Sequence, residues 1–166
     1  MQLHLRALLL SDEHLVAGLH LDADQREFSG GHVREIFDRL RNSPYPEALY
    51  PFIVHHGDDA IGFFVLREAP ALPVWASLDV MTLHNFRIGR QFQRRGFGAT
   101  SVRQAAHWVA KNRPKILQLM LSVNPQNEPA CALYLSCGFR STGAFHQGRI
   151  GPETIMTGEI AILCAS

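Results

Sequence analysis

The chain has 166 residues, 46% hydrophobic and 19% charged, with a formal net charge of +1 at pH 7. That size suits one domain with one core, and the composition excludes a disordered chain; 13 glycines and 9 prolines without a period exclude collagen-like and low-complexity readings. No apolar run approaches the ~18 residues of a membrane span, and the N-terminus lacks a basic-then-apolar secretion pattern, so a soluble, cytoplasmic protein is expected.

Three cysteines, Cys131, Cys137 and Cys164, form no CxxC pair, which points to reduced core thiols rather than disulfides or a zinc site. The nine histidines are scattered, with only His55 and His56 adjacent, and no metal site is expected. The small net charge hides a division: residues 1–79 hold six arginines against twelve acids, net −6, and residues 80–166 hold ten basic residues against three acids, net +7. Such a division suggests differently charged partners for the two halves. The basic half has no long Lys/Arg run and no groove-reading helix pattern, so nucleic acid is not expected; a smaller polyanion suits it.

In chain order, Leu3–Ala7 alternates as an edge strand. Ser11-Asp12-Glu13 resembles a helix start with Ser11 as N-cap. A second helix is expected over His32–Leu40, where Val33, Ile36, Phe37 and Leu40 repeat at core-facing spacing. Tyr50–His55 and Ala60–Glu68 flank Gly57-Asp58-Asp59 as an antiparallel hairpin. Val80–Arg90 is a long strand whose untidy alternation suggests a bulge. Gly98–Asn112 is helical, with Val102, Ala105, Ala106 and Val109 on one face; Ile116–Val123 is a buried strand. Asn127 caps a short helix through Cys137 with Gly138 at its C-terminal cap, and Phe139–Arg149 with Glu153–Leu163 closes the chain as a hairpin. This order predicts a single mixed α/β layer with helices on both faces.

Two segments carry chemistry. Gln93-Arg94-Arg95-Gly96-Phe97-Gly98-Ala99-Thr100 is a glycine-rich turn feeding a helix, which presents unpaired amides and the positive end of the helix dipole to a phosphate. It lacks the Gly-Lys-Ser/Thr of a P-loop and the GxGxxG spacing of a dinucleotide site. In the second segment Asn127 and Tyr134 lie seven residues apart, about two helical turns, so both share a face with Ala130 and can address one ligand.

Together these segments resemble the GNAT superfamily of N-acetyltransferases. Gln93, Gly96 and Gly98 match its Gln/Arg-x-x-Gly-x-Gly/Ala motif. Asn127, Ala130, Leu133, Tyr134, Gly138 and Phe139 match its Asn-x-x-Ala-x-x-Leu-Tyr-x-x-x-Gly-Phe pattern. The resemblance is strong over residues 80–140 and weak over residues 1–75; Leu83–Arg95 looks most like bacterial relatives that acetylate spermidine and similar amines. It implies a single acetyltransferase domain over residues 1–166, with a mixed, mostly antiparallel sheet splayed between its fourth and fifth strands. The co-substrate would be acetyl-coenzyme A. The amides of Arg94 through Thr100 would cradle its pyrophosphate, backbone groups of Phe86, Arg87 and Ile88 would pair with its pantetheine as an added strand, and Asn127 would bond the same arm. Tyr134 would protonate the leaving thiolate. Several relatives carry an acid where this chain has His84, so His84 is the candidate base, with Asp79 behind it. Asp22, Asp24, Glu27, Glu35, Asp38 and Glu47 fall in the usual acceptor region and favour a small cationic amine; a protein N-terminal amine and a non-catalytic acyl-coenzyme A sensor are the alternatives. A homodimer through the last hairpin is also an expectation from the family.

Overall fold

Seven strands form one sheet in a computed structural model that describes residues 2–166. In chain order the elements are β1 (Leu3–Ala7), α1 (Ala23–Phe28), α2 (Val33–Arg41), β2 (Leu49–His56), β3 (Asp59–Arg67), β4 (Met81–Ile88), α3 (Phe97–Asn112), β5 (Gln118–Val123), α4 (Glu128–Cys137), β6 (Arg140–Gly148), β7 (Gly151–Glu159) and α5 (Ile160–Ala165). The sheet order is β1-β2-β3-β4-β5-β7-β6, antiparallel except between β4 and β5. The mixed, mostly antiparallel layer expected from the element order is therefore what the chain forms.

Alternation along the central strands sends side chains to two separate cores. Phe52, Val54, Phe64 and Leu66 pack with Val102, Ala105, Ala106 and Val109 of α3, while Ile53, Phe63 and Val65 pack with Ile36, Phe37 and Leu40 of α2. The apolar stripes at i, i+3, i+4 and i+7 on α2 and α3 are what let each helix cover one face. Further along the sheet Val80, Met120 and Ile155 form a small third cluster under Leu72 and Trp75 of the loop before β4.

Two expectations are corrected. No helix starts at Ser11: the segment makes one 3-10 turn over Glu13–Leu15, because the Asp12 carboxylate accepts from the Leu9 amide behind it at 2.8 Å rather than capping forward. The first helix comes later, as α1. The last strand ends at Glu159 rather than Leu163, because Ile160 and Leu163, three apart, both bury into the α3-side core, and only a helical turn brings both to one side. The α4 caps are as read: the Asn127 side chain accepts from the Ala130 amide, and Gly138, at φ +112°, lets the Phe139 amide bond the Tyr134 carbonyl at 3.0 Å.

The C-terminal end of α3 is tied to the sheet by Arg113. Its Nε donates to Glu68 Oε2 at 2.7 Å, and its Nη2 donates to Glu68 Oε1 at 3.0 Å and to Tyr50 Oη at 2.9 Å. The Arg113 guanidinium, against the opposing effect of burial, holds the Glu68 carboxyl below its usual range, with the Tyr50 hydroxyl adding to the effect. A depressed carboxyl contributes stability above its unfolded pKa of about 4.3, and that contribution is lost as pH falls through the folded value. Glu68→Gln is expected to cost ~1 kcal/mol at pH 7, discounted for partial exposure, and to remove part of the acid-induced loss below about pH 4.3; urea unfolding of both proteins at pH 7 and pH 3 measures this.

Candidate functional site

β4 and β5 pair at only two places, Met81 with Leu119 and Thr82 with Met120. Both strands then run on, to Ile88 and Val123, without bonding each other. The opening between them is a cleft of ≈ 570 Å³, walled by Leu83–Ile88 on one side, by Ser122, Val123 and Asn124 on the other, and by α1 and α4. That volume suits a small-molecule site. The splay between the fourth and fifth strands is thus present, and it leaves the β4 edge free to accept an added strand.

A bulge decides which side chains face this cleft. Between β3 and β4, Val65 pairs with His84 and Phe63 with Arg87, so two steps on one strand oppose three on the other. The extra residue is Asn85, held at φ +57°. Without it, residues 84 and 87 would face opposite sides; with it, both share the α2 face with Phe63 and Val65. Phe86 turns the other way, its ring 6.3 Å from Phe64 and 6.4 Å from Tyr134. The Asn85 amide and Arg87 guanidinium both donate to the Ser29 carbonyl, at 3.3 and 2.8 Å, which pins the α1–α2 connection against β4.

Beyond β4 the glycine turn forms the cleft's far end. Gln93 Nε2 donates to the Ile88 carbonyl at 2.8 Å and fastens the turn to the strand. Arg94 and Gly96 both lie in the left-handed region, at φ +60° and +80°, and Gly96 caps α3 without a capping side chain. The amides of Phe97, Gly98 and Ala99 therefore lack intrahelical acceptors. The Thr100 amide already bonds the Gly96 carbonyl at 3.2 Å. Gln93, Arg94, Gly96, Gly98 and Ala99 line the cleft. Arg95 instead lies over the Phe97 ring at 5.0 Å, and Phe97 packs on His56 at 4.8 Å, on the outer side of the turn. Gly98 has a packing reason as well: a Cβ there would meet Leu133 of α4 at 3.1 Å.

The α4 residues converge on the cleft from the opposite wall. Asn127 is buried, and its Oδ1 accepts from the Ala130 amide at 3.4 Å and from Gln25 Nε2 at 3.3 Å. Those bonds occupy its oxygen and leave its Nδ2 to donate. Ala130 presents only a methyl to the cleft. Tyr134 is 7% exposed, wedged edge-on against Phe139 at 5.6 Å. Burial, with the nearby Cys137 and Cys131 thiols, pushes its phenol above its usual range. A neutral O–H opening into the cleft is a donor at any physiological pH.

His84 lines the cleft with its Nε2 at 2.7 Å from Thr82 Oγ1. Burial, and secondarily the Arg67 cation, lowers its pKa well below the ordinary imidazole value, so the ring is neutral at pH 7. Asp79 is exposed in the loop before β4 and is not a cleft residue. Sequence reasoning missed Glu153 of β7. Its carboxylate lines the cleft, accepts from Ser122 Oγ at 2.8 Å, and has no basic side chain within 4 Å among the described residues. A Cβ at Gly148 would overlap this carboxylate, so the glycine makes room for it. The Gly-Pro-Glu run at 151–153 carries no local signal of this; only the β5–β7 pairing brings Glu153 beside Ser122. The acids of the N-terminal half are mostly engaged: Glu27 accepts from Arg149 Nη1 at 3.2 Å, joining the two walls of the cleft, and Asp22 pairs with Arg90 at 3.3 Å.

Among the described residues no group of three or more His, Cys, Asp or Glu could hold a metal, and no helix is long and apolar enough to cross a membrane. No curated protein matches the sequence. The fold is shared with solved structures of low identity. One is the aminoglycoside acetyltransferase AAC(6')-Ib in complex with coenzyme A and kanamycin, with TM-score 0.79, 16% identity and 99% of each chain covered. Another is the spermidine N-acetyltransferase from Vibrio cholerae in complex with coenzyme A and spermine, with TM-score 0.72, 20% identity and 98% of each chain covered. The acetyltransferase (GNAT) family matches residues 16–139, spanning β4, the glycine turn and α4, and with three quarters of the chain so matched the protein belongs to the GNAT family and is an N-acetyltransferase.

Proposed function

We propose that the chain transfers an acetyl group from acetyl-coenzyme A to the primary amine of a small acceptor by direct attack. The observation that carries this reading is the unpaired β4 edge running into an uncapped helix N-terminus, with a neutral phenol beneath it. The free edge suits an amide-containing arm, and the open amides at Phe97–Ala99 with Arg94 suit a pyrophosphate. When bound, acetyl-coenzyme A supplies an acetyl group activated as a thioester. The neighbours' ligands kanamycin and spermine, both polyamines, support an amine acceptor. The bridge between Glu27 and Arg149, which joins the walls of the cleft, favours a small molecule over a protein N-terminus.

The roles divide by position. Glu153 attracts the acceptor's ammonium group, its carboxylate being steadied by Ser122 and free of any internal cation. In the tautomer whose Nε2–H donates to Thr82 Oγ1, His84 Nδ1 keeps its lone pair and takes the proton the amine must lose. The amine nitrogen then bonds the acetyl carbon as the carbon–sulfur bond breaks, and Tyr134 gives its hydroxyl proton to the departing sulfur. Asn127 and the cleft edge of β4 hold the arm in line.

Tyr134→Phe keeps the ring and removes the donor, so kcat is expected to fall ~10²-fold while acetyl-coenzyme A affinity stays near wild type. Free-thiol release across an amine panel, with calorimetry of acetyl-coenzyme A binding, separates this outcome from a purely positioning role, in which turnover would persist. An inert sensor would bind acetyl-coenzyme A and acetylate nothing.

The depressed pKa of His84 places any acidic limb of kcat/KM below pH 6.5, and the sign is loss of rate as pH falls and the ring protonates. His84→Ala is expected to remove that limb and lower kcat. Glu153→Gln is expected to raise the amine KM ~10-fold or more, the scale of one charge-assisted hydrogen bond, without changing the KM for acetyl-coenzyme A. pH–rate profiles of the three proteins with one good amine decide both assignments; an unchanged limb in His84→Ala leaves the proton to ordered water.

A further inference from the structure

α2 and the sheet face under it carry three arginines with no acidic partner. Arg67 ends β3, Arg87 lies near the end of β4, and Arg39 projects from α2. The ion pairs among the described residues use Arg26, Arg41, Arg90, Arg113 and Arg149, and none uses these three. Arg87 is 4% exposed, and the residue lines the cleft. Its Nη2 donates to the Ser29 carbonyl at 2.8 Å, and its buried Nε has no partner; the Nε of Arg67 is in the same condition. A guanidinium taken out of water without a counter-ion is costly, and here neighbouring charges of the same sign add to the cost. Burial, then Arg39 and Arg26, pushes Arg87 down to about 10, with Glu27 acting weakly the other way.

Holding the Ser29 carbonyl does not account for a charged group. Asn85 already donates to the same oxygen, and a neutral amide at position 87 would serve as well. A guanidinium has five donors in a fork suited to carboxylate or phosphate oxygens, and one of them is in use. The Asn85 bulge sets Arg87 on the same face as His84, three residues away, up to about 10 Å along the strand. One acceptor can therefore reach the proton-accepting ring with its amine and Arg87 with its other end.

We propose that Arg87 is an anion subsite of the acceptor cleft, so that the acceptor bears, besides its amine, a carboxylate or phosphate that pairs with Arg87. Arg67 and Arg39 strengthen the positive field behind it. This rests on the acetyltransferase reading of the same cleft and narrows its acceptors from simple polyamines to amines carrying an anion.

The test compares matched acceptors by kcat/KM: ω-amino acids of increasing length against their carboxamides, and aminoalkyl phosphates against the corresponding amino alcohols. In wild type the best acid or phosphate is expected to exceed its uncharged counterpart by ~10- to 100-fold, the range of a charge-assisted hydrogen bond in a desolvated site. Which series wins identifies the anion. Arg87→Gln is expected to collapse the ratio towards one and Arg87→Lys to keep part of it, with a thermal shift by acetyl-coenzyme A reporting that each variant is folded. Arg39→Gln, at an exposed position, is expected to lower the ratio by a smaller factor and carries the test if Arg87→Gln does not fold. Equal use of acids and amides, a preference for diamines, or a preference that survives in Arg87→Gln overturns the subsite while leaving the acetyltransferase reading intact. Acetyl-coenzyme A binding with no turnover of any amine overturns both.

Discussion

Everything at the candidate site depends on two strands that start as neighbours and then part. β4 and β5 share two residue pairs and diverge, and the backbone groups they would have exchanged are left facing a cleft. Unpaired backbone in a protein interior is unfavourable unless a ligand or water takes it up. The divergence is held open by packing on both sides. Phe86, Tyr134 and Phe139 fill the α3 side as a chain of rings, tilted at the first contact and edge-on at the second, and on the other side Asn85 and Arg87 anchor the Ser29 loop against β4. The bulge at Asn85 belongs to the same device, since it re-aims the strand at the point where pairing stops.

The electrostatics follow from where the two oppositely charged halves of the chain meet. Glu27, Glu68 and Asp22 from the acidic half pair with Arg149, Arg113 and Arg90 from the basic half. Part of the charge division therefore serves internal ties, one of them across the cleft walls, rather than outside partners. What remains unpaired becomes informative. Glu153 stands without a cation on one side of the cleft, and Arg87 without an anion on the other. His84 lies on the same face as Arg87, kept neutral by burial and by Arg67. These unpaired groups are the basis for proposing an acceptor with charge of both signs.

The glycines of the turn have separate jobs despite their adjacency. Gly96 takes a left-handed conformation that a side chain would strain, and it exposes the first amides of α3. Gly98 is in ordinary helical geometry, and its missing Cβ lets Leu133 approach, so that α4 and with it Asn127 and Tyr134 sit close to the turn. One glycine shapes the turn at the end of the cleft and the other sets the distance from that turn to Asn127 and Tyr134.

Much of this was legible in the sequence, where the physics is local. The apolar stripes of α2 and α3 and the Asn127 and Gly138 caps are short-range patterns, and the untidy alternation of Val80–Arg90 pointed to a bulge without locating it. The resemblance to the GNAT superfamily, carried by the two motifs, assigned the glycine turn and Tyr134 to one site, and both line the same cleft. Local signals failed at Ser11, where Asp12 bonds backwards, and at Ile160, where a helical turn buries two side chains that a strand would have split. Tertiary structure alone brought together the groups proposed to meet the acceptor. Glu153 reaches Ser122 through strand pairing 31 residues apart, and Arg87 joins His84 on one face only because a single residue is bulged out between them. Sequence specifies which groups the chain carries and how each segment coils; charge and proton chemistry depend on distances between segments, and those exist only once the sheet has formed.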